Sequence, residues 1–376
     1  MSSYRQYSYE PYDDEIKSEK RKLHAVKKHT SHKKVNLVKV AFLLLFLCYA
    51  LFPICKNTYN YLFINKIKNS KIKADAAKHI APAQSLLANS HLFGRDFLAH
   101  VEVKKPQMAA LKTNREMLNL KNNLQYVINQ YPRLTAGVYV WDYQTGNYVD
   151  INGETQFSAA SIIKVPILVE MFRRIEAGDL DLYEKFNMTS YYRTGGSGYL
   201  QYRPEGASFE MNDLANYMIR TSDNTATNMI LSAVGGANEM DMALRKWGFS
   251  KTYVQTWLPD LYGTNITTPK DMATILFNAD NPDFLSLENR ARIVEIMSKV
   301  KNTSLLQQGI PENARLIHKT GDIGEMLGDV GVVTMPDGRR YIITVMVKRR
   351  WNDYSARSLI NSISSVTYNS FASNSL

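Results

Sequence analysis

Phe157-Ser158-Ala159-Ala160-Ser161-Ile162-Ile163-Lys164-Val165-Pro166-Ile167-Leu168 is an apolar stretch with a hydroxyl and an amine set three residues apart at its centre. A helix beginning near Ala160 places positions i and i+3 on one face, so Ser161 and Lys164 come within hydrogen-bonding reach about one turn apart. A serine hydroxyl is a weak nucleophile until a base takes its proton, and a lysine serves as that base when burial or a nearby cation lowers its pKa. Ile162, Ile163, Val165 and Ile167 surround Lys164 with hydrocarbon. Taken alone, Ser-x-x-Lys is equally well a helix-start serine followed by a snorkelling lysine.

Upstream, Leu120, Leu124, Val127 and Ile128 recur at helical spacing from Met117 until Pro132 closes the segment. Leu134 to Asp142 alternates as a strand does. Gln144-Thr145-Gly146-Asn147 supplies turn chemistry and Tyr148 to Ile151 returns, which predicts a hairpin. Downstream, the Ser161 helix runs to about Ala177 and stops at Gly178. Pro166 lacks an amide hydrogen and distorts its first turn. Further helices are predicted over 213–220, 225–233, 237–246, 269–278 and 285–299. For the fourth of these Thr268 is the N-cap, Pro269 the first helical residue and Asp271 the reciprocal cap. Strands follow at 315–319, 329–334 and 341–348, the last two joined by Pro336-Asp337-Gly338, and a helix covers 355–371. The fold class is therefore α+β.

Two further motifs lie in this frame. Ser222-Asp223-Asn224 falls in a connection between helices, 61 residues after Ser161, and Lys319-Thr320-Gly321 ends a predicted strand 97 residues later. Each has a plain structural reading, as a helix-capping turn and as an ordinary strand end. Together, in this order, they are the Ser-x-x-Lys, Ser-Asp-Asn and Lys-Thr-Gly signature of class A β-lactamases and penicillin-binding proteins. Over residues of about 115 to 372 the sequence resembles the class A β-lactamase-like serine hydrolases.

The resemblance implies a β-lactamase/transpeptidase-like fold: a five-stranded antiparallel sheet from N- and C-terminal segments, with an all-helical subdomain inserted and the site in the cleft between them. It implies Ser161 as nucleophile and Lys164 as its activating neighbour. Ser222 would relay a proton to the leaving nitrogen and Asn224 would bind the substrate amide. Lys319 would attract the substrate carboxylate and hold down the pKa of Lys164, and Thr320 would hydrogen-bond the same carboxylate. The backbone amides of Ser161 and Asp322 would form the oxyanion hole. Gly321 leaves room for a substrate along the strand edge, and Asp223 is structural. His318 reads as a strand residue. Arg349 and Arg350 read either as a second carboxylate-binding cation or as a solvated strand end. No metal or cofactor is expected, and the partners implied are a β-lactam or a D-Ala-D-Ala-type cell-wall peptide.

The sequence departs from the family at one functional position. Where class A β-lactamases carry Glu-Pro-x-Leu-Asn, this chain reads Leu258-Pro259-Asp260-Leu261-Tyr262. Leu258 stands for the glutamate that activates the deacylating water, and Tyr262 for the asparagine. Without that carboxylate, water attack on an acyl-enzyme slows by roughly the 10²–10⁴ that a placed general base supplies. Asp260 is the alternative carboxylate. The expectation is an enzyme that acylates and releases slowly, as a penicillin-binding protein does. A true β-lactamase is the enzymatic alternative, and a receptor for β-lactams or wall fragments the non-enzymatic one.

Charge divides the chain. Residues 1–39 carry a net +5 and residues 56–105 a net +6, whereas residues 106–376 hold 27 charges of each sign. The excess of +11 thus belongs to the N-terminal arm, which argues against a nucleic-acid-binding domain. Six of the seven histidines precede residue 106, leaving His318 alone in the domain, which argues against a histidine-clustered metal site there. Cys48 and Cys55 fall in the arm, so the domain has no cysteine nucleophile and no disulfide.

Residues 37–55 are apolar over a length that just spans a bilayer core of about 30 Å. They read as a single-pass transmembrane anchor, and a cleavable signal peptide is the competing reading. Basic residues crowding the preceding stretch place the N-terminus in the cytoplasm. The organisation expected is a disordered basic cytoplasmic tail (1–36), the anchor (37–55), a basic stalk (56–112) and an extracytoplasmic serine hydrolase domain (113–376).

Overall fold

A computed structural model describes residues 108–373 and Leu376. The expected tail, anchor and nearly all of the stalk lie outside these residues. Among the described residues no helix is long and apolar enough to cross a membrane.

Helix α1 (Leu118–Asn129) leads into the strands β1 (Thr135–Asp142) and β2 (Tyr148–Ile151), which pair as an antiparallel hairpin. The chain then forms a short strand β3 (Phe157–Ser158), a 3-10 turn (Ala160–Ile163) and helix α2 (Lys164–Ala177). The helical body continues through β4 (Lys185–Asn187), β5 (Ser208–Glu210), α3 (Met211–Arg220), α4 (Asn224–Ala233) and α5 (Gly236–Lys246). After β6 (Ile266–Thr267) come α6 (Pro269–Ala279) and α7 (Leu287–Met297). Three long strands, β7 (Arg315–Ile323), β8 (Met326–Thr334) and β9 (Arg340–Lys348), and helix α8 (Ser355–Ala372) complete the chain.

The main sheet has the order β2-β1-β9-β8-β7 with every pair antiparallel. N-terminal and C-terminal segments thus build one sheet, with the helical body inserted between them. Alternation along the strands assigns the two faces. Ala136, Val138 and Val140 of β1 with Tyr341, Ile343, Val345 and Val347 of β9 pack against α1 and α8. Tyr139 and Trp141 with Ile342 and Met346 belong to the larger core that includes α2, α3, α4 and α6.

The helix caps follow the sequence closely. Thr268 caps α6 through the Asp271 amide with Pro269 in the first turn, and Gly178 closes α2 at φ 77°. Strand ends do not. Lys319-Thr320-Gly321 was expected to end its strand at residue 319, but β7 runs on to Ile323 and β8 begins at Met326, three residues before the expected start. Gly321 and Gly328 face each other in the ladder between these strands. The Ser161 segment also starts as a 3-10 turn rather than an α-helix, at the place where Pro166 offers no amide hydrogen.

Candidate active site

The turn bearing Ser161 is pressed against β7, an edge strand of the sheet. Gly321 is the point of contact: a Cβ built there would lie 2.9 Å from Ile162 Cγ1, 3.1 Å from the Ile162 amide nitrogen and 3.2 Å from the Ala159 carbonyl oxygen. The sequence reading reserved this space for substrate, but the protein's own backbone fills it. Gly321→Ala therefore forces β7 away from the turn. It is expected to lower stability by about 1–3 kcal/mol, as overpacking does, readable as a fall in the denaturant midpoint.

Lys164 is fully buried below that turn. Its Nζ lies 2.6 Å from the Ser222 carbonyl oxygen, 3.0 Å from Ser222 Oγ and 2.9 Å from Asn224 Oδ1. The expected hydrogen bond to Ser161 does not form: among the described residues no hydrogen bond joins the Ser161 hydroxyl, because all three positions around the amine face the Ser222–Asn224 turn. Ser222 can offer both its carbonyl and its hydroxyl because it sits at φ 55°, a conformation uncommon outside glycine; Ala160, just before the nucleophile, sits at φ 44°.

Lys319 is equally buried, and its Nζ donates to Ser222 Oγ at 3.1 Å and to the Thr320 carbonyl at 2.6 Å. One hydroxyl thus lies between two buried amines. Burial first, then the Lys319 charge, pushes the Lys164 pKa well below its ordinary 10.5, with Asp223 acting in the opposite sense. Burial lowers Lys319 to about 8, opposed by the Asp329 carboxylate. Of the two amines, Lys164 is the more strongly pushed toward the neutral form.

Asp223 is a structural anchor. Its carboxylate caps α4 through the Ala226 amide at 2.9 Å and accepts from the Tyr199 and Leu200 amides at 2.6 and 2.8 Å. Asn224, expected to face a substrate amide, is engaged within the protein: Oδ1 accepts from Lys164 and Nδ2 donates to the Gly195 carbonyl at 3.1 Å. The loop through Gly195 and Ser197 was not assigned from sequence; its signal was the glycine-rich run Gly195-Gly196-Ser197-Gly198.

The cleft above these groups has a volume of about 220 Å³. Ser161, Ser222, Lys319, Thr320 and Asp322 line it, whereas Lys164, Asn224 and Gly321 are not among its lining residues. Arg349 is not available as a second carboxylate-binding cation, because it donates to the Asp322 carboxylate and to the Gly324 carbonyl; Arg350 is exposed. His318 is a buried strand residue whose Nδ1 lies 2.9 Å from Asp329.

The loop after α5 holds Leu258 by both backbone groups: its amide donates to Asn228 Oδ1 at 2.9 Å and its carbonyl accepts from Asn228 Nδ2 at 2.8 Å. The Leu258 side chain is buried in the core, and Tyr262 is almost wholly exposed. Asp260 is spent inside the loop, accepting from the Thr264 amide, the Thr264 hydroxyl and the Asn265 amide at 2.9, 3.0 and 2.6 Å.

An edge strand carrying a buried lysine, set against a serine-bearing turn and a Ser-Asp-Asn turn across one cleft, defines an acyl-serine enzyme of the class A β-lactamase-like type. The chain belongs to the β-lactamase enzyme family, whose model matches residues 119–371. Among curated proteins, β-lactamase VEB-1 of Pseudomonas aeruginosa is 24% identical over 275 residues, covering 68% of this chain and 92% of VEB-1. Among solved structures, a leucine-to-glutamate variant of PBP-A in an acyl-enzyme complex with penicillin G superposes with a TM-score of 0.68 at 37% identity, covering 70% of this chain and 100% of that one. An ancestral class A β-lactamase superposes with a TM-score of 0.63 at 26% identity, covering 67% and 100%.

Proposed function

We propose that this chain is a membrane-anchored, extracytoplasmic penicillin-binding enzyme that forms an acyl-Ser161 intermediate with D-Ala-D-Ala-type cell-wall peptides or β-lactams and releases it slowly. In this reading neutral Lys164 takes the proton of Ser161 as Ser161 Oγ bonds to the substrate carbonyl carbon. The backbone amides of Ser161 and Asp322 stabilise the oxyanion. The proton then passes through the Ser222 hydroxyl to the leaving nitrogen as the C–N bond breaks. Charged Lys319, with Thr320, holds the substrate carboxylate and keeps Lys164 neutral. Asn224 takes the substrate amide once its bond to Lys164 loosens.

The observation that carries slow release is the loop at Leu258. Leucine occupies the place of the water-activating glutamate, Asp260 is bound within its own loop, and Asp322, the one carboxylate among the described residues lining the cleft, is paired with Arg349. The acyl-enzyme complex of PBP-A with penicillin G supports the same chemistry here. The test is D-alanine release from an acyl-D-Ala-D-Ala peptide, measured beside penicillin turnover. Peptide cleavage with an accumulating penicillin adduct is the expected result. Rapid penicillin hydrolysis would favour the β-lactamase reading instead. An N-terminal anchor at 37–55 predicts that the full chain sediments with membranes and that carbonate does not release it.

The two amines set the pH dependence of acylation. Deprotonation of Lys164 creates the base, so the rate rises with pH on the acid side. Lys319 loses its charge as pH rises through about 8, so its hold on the substrate carboxylate fades there. The profile of acylation kcat/KM is therefore a bell with its alkaline limb near 8. In Lys319→Arg the guanidinium keeps its charge, and that limb moves upward.

A further inference from the structure

Beside the cleft, two loops carry aromatic rings toward solvent. Residues 189–203, between β4 and β5, include four tyrosines, of which Tyr191, Tyr199 and Tyr202 are exposed. Tyr191, 73% exposed, meets Tyr192 and Trp257 edge-on, each at 5.3 Å between ring centroids, and Tyr192 lies nearly parallel to Trp257 at 6.3 Å. Such pairs hold rings in fixed orientations. Trp257 directly precedes Leu258, so the cluster joins the tyrosine loop to the loop after α5. The tyrosine loop is in turn tied to the Ser222–Asn224 turn and its helix. The Asn224 amide donates to the Ser197 carbonyl at 3.0 Å, Asn224 Nδ2 to the Gly195 carbonyl at 3.1 Å, and the Thr194 amide to Thr225 Oγ1 at 3.2 Å. Ser197 itself lines the cleft. The rings thus form a preorganised surface on a loop that reaches the active site.

A cluster of large rings left in solvent marks an interaction surface. Residues 188–192 and 253–259 carry no charged side chain. The charged neighbours, Arg193 and Glu205, are of opposite sign and bind loop backbone, at the Gln201 carbonyl and the Ser190 amide. This surface is therefore not built to select a carboxylate or an ammonium. Flat rings in neutral surroundings suit the carbon–hydrogen face of a pyranose, whose hydroxyls stay in water. On the acyl-Ser161 reading, on which the inference rests, Lys319 and Ser222 serve the leaving group, whereas Asn224 takes the acyl-side amide. The tyrosine loop hangs from Asn224, so its rings lie on the acyl side, the end of a cell-wall donor peptide that is joined to sugar. We propose that Tyr191, Tyr192 and Trp257 form a saccharide-binding platform for N-acetylated amino sugars, which makes glycan-linked peptide the preferred donor over free peptide. The platform adds binding only, and the acylation chemistry is unchanged.

The test uses the full chain and three donors ending in the same acyl-D-Ala-D-Ala: the free peptide, the peptide joined to an N-acetylated amino-sugar disaccharide, and the peptide joined to an alkanoyl group of similar size. In D-alanine release the saccharide donor is expected to show a kcat/KM about tenfold above the other two, carried by KM, a size in keeping with one or two aromatic contacts. The advantage should fall close to one in Tyr191→Ala and persist in Tyr191→Phe, because the ring face is what the sugar meets. Melting temperatures identify a variant that fails to fold. Tryptophan emission during titration with N-acetylglucosamine tetramer is an independent readout: a saturable shift is expected in the wild type and its loss in Trp257→Phe. Equal processing of the saccharide and free donors, an alkanoyl donor that does as well, or an advantage that survives Tyr191→Ala overturns the inference. A flat titration, or a shift unchanged in Trp257→Phe, overturns it as well. Penicillin labelling of Ser161 without a saccharide advantage leaves the acyl-serine reading standing and removes this one, whereas failure of labelling removes both.

Discussion

Replacing Lys164 with methionine lowers the rate at which benzylpenicillin acylates Ser161 by roughly 10²–10⁴-fold, the range that a positioned general base supplies. Methionine preserves the length and apolar stem of lysine, so the fully buried position stays filled. What disappears is the amine linking Ser222 and Asn224. The Ser222 carbonyl and Asn224 Oδ1 then lose a buried donor, which costs about 1–3 kcal/mol for each group left unsatisfied. The rate should be measured by stopped-flow with the melting temperature alongside. A folded variant that acylates at the wild-type rate would remove Lys164 from the chemistry and shift the role of base to Ser222 or solvent.

The opposite substitution is expected at the far end of the cycle. Leu258→Glu places a carboxylate where the Asn228 clamp already fixes the backbone, and it should shorten the lifetime of the penicillin adduct by roughly 10²-fold, the lower part of the range for a placed base. Only the lower part is expected, because exposed Tyr262 contributes no amide to orient the water. Burial raises the pKa of the new carboxyl, so the gain should grow with pH. Decay of the adduct followed by mass spectrometry checks it. A folded variant with an unchanged lifetime would mean that water cannot reach the acyl carbon from that side and that Leu258 is not what slows release.

The three motifs and the helix caps could be read from the chain because each is local. Thr268, Pro269 and Gly178 act on backbone groups within a few residues of themselves, and the sequence shows them directly. The partner of Lys164 could not be read that way. Spacing pointed to Ser161 three residues away, whereas the amine turns to Ser222 and Asn224, some 60 residues on in sequence, because the Ser222 backbone is bent to receive it. Gly321 was read as room for a ligand, yet its neighbour is the turn at Ile162, a contact that exists only when edge strand and helix start are assembled. Arg349 offered a free cation on paper and proves committed to Asp322 across the β7–β9 end of the sheet. Asp260 looked like a spare base until the loop folded back on it. In each case the residue type was informative, and a contact distant in sequence decided its use.

The account stands most directly on the fate of benzylpenicillin mixed with the full chain and followed by intact mass and peptide mapping. Ring opening by a serine loses no atoms. The predicted result is thus a single adduct carrying the whole mass of the drug, mapped to Ser161 and persisting long after free drug is removed. An adduct on another residue, or none on a folded protein that leaves the drug intact, would contradict it.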